Sequence, residues 1–117
     1  MVSIFEFADN TVGIMIKSKV DSKLIKQVHT TIVERLKENK TINLFIEIQP
    51  GNDITFSALL KDLKFKVEHA KHFRKIVVVT DLNWFHNLME IKALIMDAEI
   101  KTFKHENRLK AINWIVE

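Results

Sequence analysis

A chain of 117 residues, 47% hydrophobic and 28% charged, is long enough to bury one sizeable core and too short for two, so a single domain over 1–117 is expected. Two glycines and one proline exclude a disordered or linker-rich chain, and the lack of cysteine excludes disulfides, thiolate metal centres and a cysteine nucleophile. The formal charge of +3 is too mild to imply a nucleic-acid partner.

The opening stretch MVSIFEFADN carries acids and no basic leader, which predicts no signal peptide and, with no run long enough to span a membrane, a cytoplasmic protein. Ile4 to Phe7 and Thr11 to Lys17 flank the turn residues Ala8, Asp9 and Asn10 and read as an antiparallel hairpin. Gly13 inside the second strand marks a close approach, for which crowding by a helix is the expected cause. Asp21 or Ser22 caps a helix running to about Asn39, whose buried stripe is Leu24, Ile25, Val28, Ile32 and Leu36. Asn43 to Gln49 is the next strand, with Leu44, Phe45 and Ile46 continuous and Glu47 near its carboxyl end.

Pro50, Gly51 and Asn52 break the chain, and Asp53 or Thr55 caps a second helix reaching roughly His72. Its inner stripe is predicted as Phe56, Leu59, Leu60, Leu63, Val67 and Ala70. Phe65, nine residues from Phe56 at about 100° per residue, falls on the opposite side and needs a cover, either a local turn of chain or a second subunit. Ile76 to Val79 is apolar on both faces and reads as a buried parallel strand, with Asp81, Leu82 and Asn83 at its carboxyl end, where open α/β sheets place ligands. A helix from Asn83 to about Met96 presents Trp84, Leu88, Ile91 and Ile95 on one face. A short strand, Glu99 to Phe103, precedes a last helix from about Glu106, with Leu109, Ala111, Ile112, Ile115 and Val116 on its apolar side and Trp114 at the edge. The order ββαβαβαβα predicts an α/β domain with a mostly parallel five-stranded sheet, an antiparallel N-terminal strand and helices on both faces.

Ala58, Asp62, Phe65, His69, Phe73, Arg74, Asp81 and Trp84, in that order along ALLKDLKFKVEHAKHFRKIVVVTDLNW, together with Phe103, Ala111 and Trp114 near the end, resemble the signature of the SpoIIAA-like family, grouped with the STAS and CRAL-TRIO-type folds. The resemblance implies a small singly wound α/β domain whose best understood relatives are non-enzymatic anti-sigma-factor antagonists, switched by phosphorylation at the start of the helix after the third strand. The matching stretch here, GNDITFS, lacks the aspartate-serine pair and offers hydroxyls only at Thr55 and Ser57, so the phosphoswitch is in doubt and Thr55 reads more simply as a helix cap. Lipid-binding domains in the same fold group add an apolar ligand as an alternative.

The chemistry-bearing residues converge weakly. His69 and His72, with Glu68, are too few for a zinc centre, and no glycine-rich phosphate loop or nucleophile elbow exists, so no metal, cofactor or catalytic set is expected. Glu47 and Asp81, at carboxyl ends of neighbouring strands, allow a carboxylate pair for acid and base work, against the plainer reading that Asp81 caps the helix starting at Asn83. Lys61, Lys64, Lys66, Lys71, Arg74 and Lys75 read as a solvated basic face, open to an anionic partner, with Phe65 alone available for base stacking. The expectation is therefore a non-catalytic interaction or ligand-binding module. A ligand would lie near Asp81, Trp84, Phe85, Leu88 and Glu47, and a self-association surface would include Phe65, Lys61 and His69. The alternatives are a carrier of an apolar ligand and a small enzyme built on Glu47 and Asp81.

Overall fold

The computed structural model describes residues 2–8, 10–87 and 98–117. Five strands, β1 (Val2–Ala8), β2 (Thr11–Ile16), β3 (Ile42–Ile48), β4 (Phe73–Val79) and β5 (Glu99–Phe103), lie in the order β1-β2-β3-β4-β5. The β1–β2 pair is antiparallel and the other three pairs are parallel. Because β2 to β5 advance across the sheet in one direction, right-handed crossovers put their connecting helices on one face. Helices α1 (Ser22–Leu36) and α2 (Phe56–Glu68) lie there, and Phe85 of the helical segment 83–87 joins the same core. Helix α3 (Arg108–Val116) covers the other face, where Ala111 and Ile115 pack on Phe45, Val77 and Val79.

Side chains of β3 and β4 alternate between two apolar layers, Leu44, Ile46, Ile76 and Val78 on the α1/α2 side and Phe45, Val77 and Val79 on the α3 side. Ile76 to Val79 is at most 1% exposed, as a strand covered on both faces must be. Asp21 caps α1 by accepting the Leu24 N–H, and Thr55 caps α2 by accepting the Ala58 N–H; the Asp53 carboxylate instead accepts the N–H of Ile54. Gly13 is crowded by a side chain rather than a helix: Phe5 of β1 lies across it and packs edge-on against Phe45, 6.0 Å between centroids.

Helix α2 is rotated relative to its predicted stripe. Ala58, Leu59, Asp62, Phe65 and Lys66 point inward, whereas Phe56, Leu60 and Val67 are 73%, 50% and 57% exposed. Phe65 is buried in its own chain, stacked on His29 at 3.9 Å and packed against His69 and Phe73, so it is not a self-association residue. The rotation follows from the oppositely charged Asp62 and Lys66, one turn apart, which neutralise each other and enter the interior together. The predicted helix of 83–96 is helical over 83–87; Leu88, Ile91, Ile95 and Met96 lie outside the described residues. Within it the inward aromatic is Phe85, and Trp84 is 42% exposed. On α3, Leu109 and Val116 are likewise exposed rather than packed.

Candidate functional site

The carboxyl edge of the sheet gathers Glu47 and Asp81 as expected, but the chain's own C-terminal segment occupies both acids. Glu47 is 1% exposed, with Arg108 Nε donating to Oε1 and His105 Nε2 standing 2.7 Å from Oε2. Asp81 is exposed and accepts the backbone N–H of His105 at 2.8 Å, so it holds the short 3-10 turn at 105–107 rather than the helix at Asn83. The Leu82 N–H at that start is met by the Thr80 hydroxyl. His105 thus links the two acids, its ring to one and its backbone to the other, and Arg108 closes the group. A depression beside it is lined by Gln49, Asn52, Asp53, Thr80 and Asp81. Neither His105 nor Arg108 carries a signal in the sequence, since their partner Glu47 is about 60 residues away.

A second polar cluster lies beneath α1 and α2. Lys66, 2% exposed, sits 2.7 Å from Asp62 Oδ2, and His29 of α1 donates from Nε2 to Asp62 Oδ1 at 3.0 Å. The cluster borders a narrow cavity whose other walls are aliphatic or aromatic, among them Ile16, Ile46, Ile48, Val78 and Phe85. Lys66 and Lys75, read as solvated in the sequence, are therefore both interior. Lys75, 7% exposed, donates to the Trp114 and Glu117 carbonyls at the end of α3, with Nζ 4.9 Å from the Trp114 ring centre. Burying Lys66 was legible from the coincidence of Asp62 and Lys66 with Ala58, Leu59 and Phe65 at one helical phase.

The remaining predicted site residues scatter. Lys61 is exposed on the outer side of α2; His69 is half-buried and donates from Nδ1 to the Phe65 carbonyl at 2.9 Å, finishing the helix. His72 donates from Nδ1 to the Lys40 carbonyl, and its ring is 6.3 Å from that of His69. Ser57 is exposed and its hydroxyl meets that of Ser22 at 2.9 Å, joining the first turns of α1 and α2. Phe56, Leu60 and Val67 form an exposed apolar line along α2, on the side away from the contacts with α1, and Trp84 stands on Phe85 with 6.0 Å between ring centres.

The sheet order, the helices on both faces and the C-terminal segment folded over the sheet's carboxyl edge define a small singly wound α/β domain with an antiparallel leading strand. The chain belongs to the SpoIIAA-like family, whose model matches residues 11–116. It is similar in structure to an uncharacterised protein of the DUF3478 family with a SpoIIAA-like fold from Shewanella loihica PV-4, at a TM-score of 0.73 and 18% identity over 98% of this chain and 92% of that one. No functionally curated protein matches the chain. None of the helices in the described residues is long and apolar enough to cross a membrane.

Proposed function

We propose that the protein is a non-catalytic binding module that takes up an apolar, negatively charged amphiphile along α2 and Trp84. The observation that carries this reading is the apolar line of Phe56, Leu60 and Val67, between 50% and 73% exposed on a helix whose opposite face is firmly anchored. Exposed Lys61 and Lys64 flank that line and supply the complementary charge. The engagement of both Glu47 oxygens by His105 and Arg108 favours binding over catalysis, because it takes one member of the carboxylate pair away from a substrate.

The test is a titration with dodecanoate, following displacement of an anilinonaphthalene sulfonate probe. Saturable binding is expected, weakened about tenfold or more in the F56S/L60S double variant, since two apolar contacts of this size are worth at least that factor. Equal binding by the variant refutes the reading. A concentration-dependent dimer in sedimentation that the same variant abolishes, without dodecanoate binding, also refutes it and assigns the line to a second copy of the chain.

A further inference from the structure

A further polar cluster lies at the amino edge of the sheet, away from α2. Thr11, Asn43 and Lys75 are paired neighbours near the starts of β2, β3 and β4, and are 2%, 9% and 7% exposed. Two residues ahead of Phe45 and Val77, Asn43 and Lys75 face the α3 side, where the Trp114 and Glu117 carbonyls meet Lys75. The β3–β4 ladder slips at this point: Ile42 pairs with Phe73 and Asn43 with Lys75, so Arg74 is an extra residue on β4. Such a bulge re-aims a side chain, and Arg74 reaches Asn43 Oδ1 at 3.5 Å and the Glu117 carbonyl at 3.4 Å. Both contacts are long, and Lys75 holds the same Glu117 oxygen at 3.2 Å, so the exposed guanidinium keeps most of its five donors for another acceptor. Asn43 presents its oxygen to Arg74, which leaves its two amide N–H donors without a protein acceptor among the described residues. On a side chain this deeply buried, unmet donors cost free energy until an oxygen reaches them.

A mostly polar depression of about 340 Å³ opens beside this pair, lined by Asn10, Thr11, Thr41, Asn43 and Arg74 with Ile42 and Val116, and no carboxylate is among them. We propose that it is a binding site for a phosphate group, free or as the monoester of a small molecule, held by Arg74 and the Nδ2 donors of Asn43. The planar fork of arginine gives two parallel N–H bonds to neighbouring oxygens. A phosphate has three terminal oxygens, so it takes both of those bonds and keeps an oxygen for Asn43, whereas the fork occupies both oxygens of a carboxylate. The exposed Thr41 adds a hydroxyl to the same lining. The volume is several times the roughly 30 Å³ share of a water molecule, which leaves room for the phosphate and for carbons attached to it. The site stands at the opposite edge of the sheet from Glu47 and Asp81 and is separate from the outer line of α2, so it does not depend on what that line binds.

The test is an NMR titration of the isotope-labelled full chain with glycerol 3-phosphate and with inorganic phosphate at about pH 7.5, where both are mostly dianionic. Saturable shifts of the Asn43 side-chain amide and the Arg74 Nε–H are expected, with glycerol as the neutral control leaving both in place. Tighter binding of glycerol 3-phosphate assigns the site to an ester and tighter binding of inorganic phosphate to the free ion; either supports the proposal. Sodium acetate is expected to bind at least about tenfold more weakly, and so is phosphate to the Arg74→Gln variant, that factor being the worth of a charge-assisted hydrogen bond. Asn43→Asp replaces the two donors by a charge that repels phosphate and pairs with Arg74, and is expected to abolish binding. Should that variant fail to fold, the Asn43 amide shift in the unaltered protein carries the same information. No saturable shift, equal affinity for acetate, or undiminished phosphate binding by Arg74→Gln each overturns the proposal and leaves the depression to water.

Discussion

Replacing Gly13 by alanine tests whether the β1 side of the sheet is closed by a ring rather than by a helix. A Cβ built on Gly13 stands 2.4, 2.6 and 2.7 Å from Cε2, Cζ and Cδ2 of Phe5, against about 3.5–4.0 Å for an ordinary carbon contact. Three ring atoms are involved, so no small torsion relieves the overlap; the ring must lift off Phe45 or β1 must move outward. Overpacking of this kind costs about 1–3 kcal/mol. In a domain of this size that lowers Tm by about 3 to 15 °C. The Gly13 backbone lies outside the left-handed region, so the methyl group itself is tolerated. Removing the ring first should therefore reverse the sign: in a Phe5→Ala background, Gly13→Ala should gain about 0.5 kcal/mol from reduced unfolded-state entropy. Urea unfolding of the four members of the cycle gives the coupling, expected at about 1.5 kcal/mol or more. A loss of equal size in both backgrounds would refute the argument.

Other variants probe the two polar clusters and the outer line. Asp62→Ala leaves Lys66 buried beside no carboxylate and should cost about 3–5 kcal/mol by urea unfolding, whereas Asp62→Leu combined with Lys66→Met should recover most of that loss. Glu47→Gln keeps the shape and removes the charge facing His105 and Arg108. Because those two side chains are 36% and 35% exposed and regain water, the loss should be smaller, about 1–3 kcal/mol, with hydrogen exchange quickening first at the start of α3. Phe56→Ser with Leu60→Ser should leave stability within about 0.5 kcal/mol per site, since both residues are half or more exposed; a large loss would mean that the line is packed.

The strands were legible because each is a short apolar run with a distinct environment: Ile76 to Val79 is continuous and buried on both faces, while Val12, Ile14 and Ile16 alternate with smaller or more open positions. The phase of α2 was not legible by counting apolar residues. Phe56, Leu60 and Val67 recur at helical spacing as convincingly as the face that is actually buried, and the choice between the two turned on Asp62 and Lys66, which a hydropathy pattern sends outward. Placing Phe65 inside required treating those charges as a mutually neutralising pair. Glu47 and Asp81 were located correctly, but their partners come from His105 and Arg108, a contact no local pattern encodes.

That contact decides where a ligand is to be sought. In an open parallel sheet the carboxyl edge recruits ligands because strand ends and helix starts leave unsatisfied groups there. Here the segment after β5 turns back across the ends of β3 and β4: the backbone N–H of His105 meets Asp81, and the side chains of His105 and Arg108 meet Glu47. Asp81 stays exposed, but Glu47, at 1% exposed, is covered by His105 and Arg108. Among the described residues, apolar area left open lies instead along the outer side of α2. That helix is held chiefly by Ala58, Leu59, Phe65 and the Asp62–Lys66 pair on its inner side. Ligand binding on the outer side therefore reads out as a change in the stability of α2 against the sheet, measurable as hydrogen-exchange protection from Ala58 to Lys66 that rises with dodecanoate and leaves β3 unchanged.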